Sequence, residues 1–109
     1  MNIILTSNCI GKCASIASIL LINGTKGKRY IMPNAEIMVH EVSLITHGVI
    51  SEVESKFEHS KSLNNRLQRI IVEKTKKTLE EIKNETFGKD IWMDSKEALE
   101  YGFVDKIMV

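Results

Sequence analysis

The sequence predicts an α/β domain, and three observations carry that reading. Short apolar runs bounded by turn residues occupy both ends of the chain. A long stretch in the middle switches to helical spacing. The composition of the 109 residues, 43% hydrophobic and 27% charged with six Gly and one Pro, excludes a disordered or low-complexity chain. This length suits one domain over residues 1–109, with no repeats and no linker. A net charge of +1, from 15 basic and 14 acidic residues, argues against a general nucleic-acid binder.

Charge is unevenly placed. No acid precedes Glu36, while Lys12, Lys26, Lys28 and Arg29 fall in that first third. An acid-free, apolar start predicts a buried strand and helix rather than an anion site. Residues 2–6 read as a short buried strand. A turn at Gly11 precedes the apolar segment Ile16–Ile22, a helix of about two turns ending at Asn23-Gly24, with Gly24 as the C′ residue that closes it. Met1 to Ile22 has no basic start, and Asn2, Asn8 and Lys12 interrupt it, so it does not read as a signal peptide. Its longest apolar run is broken by Ser18 and falls far short of the roughly 20 residues of a membrane span. Neither export nor membrane insertion is expected.

Further along, Arg29-Tyr30-Ile31-Met32 and Glu36-Ile37-Met38-Val39-His40 are strand-like runs separated by a Pro33-Asn34 turn. After Gly48 the apolar residues Ile50, Val53, Phe57, Leu63, Leu67, Ile70 and Ile71 recur at three-and-four spacing. That predicts an amphipathic helix of about seven turns reaching Thr75. Thr78-x-x-Glu81 and Asp94-x-x-Glu97 are capping boxes opening two shorter helices, the second closed at Gly102. Residues 103–109 read as a final strand. Cys9 and Cys13 are too few for a disulfide framework and lack neighbours for zinc, so free thiols in a reducing cytosol are expected.

Nucleophilic catalysis needs a hydroxyl, a base within reach and a group that fixes the base's tautomer. Ser15 lies where a loop meets the start of the first helix, exposed beside backbone N–H groups that favour an oxyanion. The same position also suits a simple N-cap serine. Of the three histidines, His59 lies on the polar side of the long helix and His47 lies in a loop beside Gly48. His40 ends a strand, where a rigid element delivers one polar tip; a buried structural histidine is the competing reading. Of the three aspartates, Asp94 is a helix cap and Asp105 sits in the terminal strand. If a carboxylate orients His40, Asp90 is the candidate by elimination among aspartates, with the glutamates still open.

The run GKCASIASILLINGTKGKRYIMPNAEIMVH resembles the segment that holds the catalytic serine and histidine in the proteolytic subunit of the Clp protease family. The serine lies in G-x-x-A-S, followed by KGKR, P-N and M-V-H. The ending KDIWMDSKEALEYGFVDKI is similar to that family's C-terminal pattern, and together the segments cover nearly the whole chain. The resemblance implies a Clp protease or crotonase-like fold of ββα units, with the long helix as a handle. It implies a Ser15–His40–Asp90 triad, with the Ile16 backbone N–H in the oxyanion hole. It further implies a serine endopeptidase in stacked homo-oligomeric rings. An AAA+ unfoldase would spend the ATP and feed in unfolded proteins or peptides. No cofactor or metal in this chain, no nucleic acid, no membrane and a cytoplasmic location are expected.

Two departures stand out. The family's chains begin further upstream, with a Gly-Gly motif for a second oxyanion donor, so the chain reads as N-terminally truncated. After His40 the family has Gln-Pro and a glycine-rich stretch, whereas this chain has Glu41 to Gly48 as EVSLITHG. Cys13 also stands in place of a small residue, close to the nucleophile. Two alternatives therefore stay open: a catalytically impaired or non-catalytic subunit of the same fold, and a relative in the wider superfamily of enoyl-CoA hydratases. Ser15 and His40 count against the last, which does not need them.

Overall fold

Two strand–strand–helix units make up the first two-thirds of the chain. In the computed structural model, which describes residues 4–109, the first unit is β1 (Ser7–Cys9), β2 (Lys12–Ala14) and α1 (Ile16–Ile22). The second is β3 (Arg29–Ile31), β4 (Glu36–Val39) and α2 (Ile50–Lys74). There follow α3 (Leu79–Thr86), β5 (Ile91–Met93), α4 (Ser95–Tyr101) and β6 (Lys106–Ile107). The units stack in register. β1 pairs with β3 and β2 with β4, both parallel, so each unit contributes one strand to each of two sheets. β6 completes the first sheet in parallel, and β5 the second antiparallel to β4. This is the α/β class expected, built from ββα units.

The strands form because their apolar residues meet a common core. In β4, Ile37 and Val39 are buried, whereas Glu36 is exposed, the period of two that a half-buried strand requires. Leu21 and Ile22 from α1, Ile31 from β3, Ile82 from α3 and Phe103 and Val104 join the same cluster. Each such side chain contributes about 1.5–3 kcal/mol by leaving water.

Charge closes the first sheet. Arg29, 3% exposed, donates from Nε to Asp105 Oδ2 at 2.9 Å and from Nη2 to Oδ1 at 2.8 Å. Asp105 Oδ2 also accepts from the backbone N–H groups of Gly27 and Arg29. Those bonds, led by the guanidinium, hold the Asp105 carboxyl down at about 2. Arg29 Nη1 donates to the Lys74 carbonyl at 2.8 Å, which ties the end of α2 to the same clamp.

Both capping boxes form with reciprocal bonds. Thr78 Oγ1 accepts from the Glu81 N–H at 3.2 Å and Asp94 Oδ1 from the Glu97 N–H at 2.8 Å. Gly102 closes α4 at φ +95°, and a Cβ there would lie 2.9 Å from the Lys76 backbone nitrogen. Gly24 follows the Asn23 cap of α1 at the expected C′ position but is not at positive φ, and its missing side chain makes room for those of Ser7 and Arg29. The strand expected over 2–6 is absent at residues 4–6, and residues 2 and 3 lie outside those described. The expected final strand contracts to Lys106–Ile107, because Phe103 and Val104 turn into the core ahead of it. No helix among the described residues is long and apolar enough to cross a membrane.

Candidate functional site

Sheet register brings the three expected residues to one edge. In the β2-β4-β5 sheet, Ala14 pairs with Met38, and Val39 pairs with Ile91. Ser15 is the residue after β2, His40 the residue after β4, and Asp90 the residue before antiparallel β5. All three therefore emerge at the same end of neighbouring strands. The Ser15 N–H donates to the Met38 carbonyl at 3.0 Å, which extends the ladder up to the serine itself.

Ser15 has an unusual backbone. Its φ of 56° and ψ of −118° make it the only non-glycine residue at positive φ among those described. Such a conformation costs about 1–3 kcal/mol and persists only where surrounding structure imposes it. The residue occupies the N-cap position of α1, yet its side chain makes no capping bond. Its carbonyl instead accepts from the Ser18 N–H at 3.1 Å and from Ser18 Oγ at 2.6 Å. The simple capping reading therefore fails for Ser15. The exposed hydroxyl sits on a strained strand-to-helix turn, a geometry suited to a nucleophile. The Ile16 N–H opens α1 and, like any first-turn N–H, has no partner within the helix.

Ser15 and His40 line a common cavity of about 70 Å³ beneath α1, together with Ile16, Val39, Leu67 and Ile82. His40 and Asp90 line a second, more open one of about 330 Å³. No hydrogen bond among the described residues joins Ser15 to His40 or His40 to Asp90. His40 Nδ1–H instead donates to the Glu41 carbonyl. The tautomer that satisfies this contact carries its proton on Nδ1 and leaves Nε2 as the acceptor, the form a serine nucleophile requires. Asp90 is exposed and, unlike the other two aspartates, carries no structural bond: Asp94 caps α4 and Asp105 clamps Arg29.

Three neighbours were not singled out in the sequence. The Glu41 carboxylate accepts from the Gly88 N–H at 2.8 Å, fixing the loop ahead of Asp90. Asn64 Oδ1 accepts from the Val42 N–H at 2.9 Å, securing the chain just past His40. Gln68, on α2, is buried beside the cavity with Oε1 unpartnered. It lies three residues before Ile71, so a polar residue on the apolar stripe was the available signal.

Of the cysteines, both free, Cys9 is wholly buried, and burial with Cys13 as neighbour pushes its thiol up to about 12. His47 and His59 are exposed and apart from this edge. No group of three or more His, Cys, Asp or Glu side chains that could hold a metal occurs among the described residues.

A serine on a strained strand-to-helix turn and a histidine following the neighbouring strand thus share one end of a sheet on an α/β scaffold. The family profile described as Clp protease matches residues 2–109, and the chain belongs to that family.

Proposed function

We propose that this chain is a Clp-type serine endopeptidase subunit that hydrolyses peptide bonds through an acyl-enzyme. Ser15 Oγ attacks the scissile carbonyl carbon while its proton passes to His40 Nε2. The oxyanion is held by the Ile16 N–H. Collapse breaks the C–N bond as His40 returns the proton to the leaving amine, and a water molecule repeats the sequence to release the acid. Asp90 would orient the imidazole by taking over Nδ1–H from the Glu41 carbonyl. The substrates would be unfolded polypeptides delivered in the cytoplasm by an AAA+ ATPase, which consumes the ATP, so this chain needs no cofactor. Assembly into homo-oligomeric rings would enclose the site.

The observation that carries this reading is the Ser15 backbone: positive φ, a hydroxyl free of capping, and His40 across the same cavity. A fluorogenic peptide series tests it. Hydrolysis by the purified chain that vanishes in both Ser15→Ala and His40→Ala supports the assignment; turnover that survives either change defeats it.

A second reading has its own support. His40 Nδ1–H is bound to a backbone carbonyl and not to a carboxylate, and Ser15 makes no bond to His40. These favour a non-catalytic subunit that lends its fold to a mixed ring. Restoration of turnover on adding a partner subunit, with the Ser15→Ala form working equally well, would establish that reading.

A further inference from the structure

Cys9 and Cys13 are the reactive side chains that the peptidase reading leaves unused. They flank the Ile10-Gly11 bend, Cys9 ending β1 and Cys13 in the middle of β2. Both pack on the core, Cys9 wholly buried and Cys13 half-buried against the same cluster. Cys9 Sγ–H donates to the Glu36 carbonyl at 3.7 Å, at the foot of the β2–β4 ladder, where Lys12 pairs with Glu36 and Cys13 with Ile37. The Cys13 thiol and backbone N–H both lie against that sulfur. Two residues on, the strained Ser15 is held by the same ladder through its N–H bond to the Met38 carbonyl. A displacement at Cys13 therefore reaches Ser15 through Ala14 alone.

We propose that Cys9 and Cys13 are a modification site, which hydrogen peroxide closes into a disulfide that displaces β2 at Ser15 and halts its chemistry. Cys13 is the entry point, being the more accessible thiol, whereas burial keeps Cys9 protonated. Peroxide transfers one oxygen to Cys13 Sγ; the O–O bond breaks, water leaves and a sulfenic acid remains. Cys9 Sγ then attacks that sulfur. The S–S bond forms as the S–O bond breaks, and the departing hydroxide takes the Cys9 proton as a second water. Two thiols are oxidised and one peroxide is reduced. Contact between the sulfurs offsets the scarcity of Cys9 thiolate, because no encounter is needed. The oxidant has to be small: Cys13 pairs with Ile37, which is wholly buried on the core side, so a bulky adduct has no room. Bond formation draws the sulfurs from contact to about 2 Å, and with Cys9 locked in the core it is Cys13 that moves. Silencing of Ser15 rests on the peptidase reading; formation of the bridge does not.

Trypsin cuts between Lys12 and Cys13, so the two cysteines fall in separate peptides unless they are bridged. The full chain is treated with hydrogen peroxide, its remaining thiols are alkylated, and the digest is mapped. Peptides 1–12 and 13–26 should appear linked, and dithiothreitol should separate them. The rate at which a fluorophosphonate labels Ser15 should fall at least about tenfold on oxidation and return on reduction. Cys13→Ala should label at the parent's reduced rate with or without peroxide, which separates the bridge from oxidation of methionine. Peptides that stay unlinked, or labelling that slows equally in Cys13→Ala, overturn the inference and leave the peptidase reading intact. A bridge that forms without slowing the labelling does the same. If even the reduced chain takes up no phosphonate, the peptidase reading fails, and hydrogen exchange at the Ser15 N–H decides the inference alone. Faster exchange in the bridged chain, as the bond to the Met38 carbonyl loosens, upholds the displacement; unchanged exchange overturns it.

Discussion

The sheet edge that carries Ser15 and the first half of α2 obey opposite rules. At the edge, each residue of interest follows or precedes a paired strand, and the ladder fixes it to neighbours more than 20 positions away in sequence. In α2, about 37 Å long at 1.5 Å per residue, the buried positions are Gln68 and Ile71, both near its C-terminal end. Ile50 is 84% and Phe57 51% exposed. A helix satisfies its own backbone bonds and can run clear of the core; a three-residue strand cannot exist without partners. Precision therefore sits in the sheet, while unpartnered apolar surface sits on the helix.

The largest effects should fall at the edge. With Ser15 as nucleophile, Ser15→Ala or His40→Ala should each lower kcat by about 10⁶, and the double change should do little more. Asp90→Asn discriminates more finely. A carboxylate orienting His40 predicts a loss of about 10⁴ in kcat, whereas a loss under tenfold assigns that task to the Glu41 carbonyl.

Smaller, but still large for folding, is the clamp that closes the β1-β3-β6 sheet. Asp105→Asn leaves the buried Arg29 without its counter-charge and should destabilise the chain by about 3 kcal/mol in a urea melt. The sign with pH follows from its lowered pKa of about 2 against an ordinary 3.8. This stabilisation is fully present above the ordinary carboxylate value and fades as pH drops from about 4 towards 2. The Asn variant should lack that portion of the acid dependence.

Ser15→Gly sharpens the comparison in the opposite direction. Glycine adopts positive φ without strain, so the variant should be more stable by about 1 kcal/mol while losing all chemistry. Smallest of all is the expected effect on the projecting helix. Ile50→Ser with Phe57→Ser should shift the unfolding free energy by less than about 1 kcal/mol, because Ile50 is mostly and Phe57 half exposed. If these residues meet another subunit, the same pair should weaken self-association in sedimentation. A large loss of stability in the dilute monomer would contradict their exposure.

How much was legible follows the same division. The capping boxes at Thr78 and Asp94 and the period of α2 are local patterns, and each forms where the residues indicate. β1, β2 and β5 are three residues long, too short for any period, and exist through partners distant in sequence. Gly24 reads as a cap from its place after a helix, yet its absent side chain serves the approach of Ser7 and Arg29. Ser15 and His40 were legible through motif and position. The unpartnered acceptor on Gln68 was not, because it depends on what packs around it.

Phosphonylation of Ser15 tests the central claim most directly. The chain is incubated with a fluorophosphonate, its intact mass is recorded, and the adduct is mapped by peptide fragmentation. A single adduct at Ser15, absent in His40→Ala although that variant still folds, is the result predicted here. A folded parent chain that takes up no phosphonate, or takes it up elsewhere, would contradict the account.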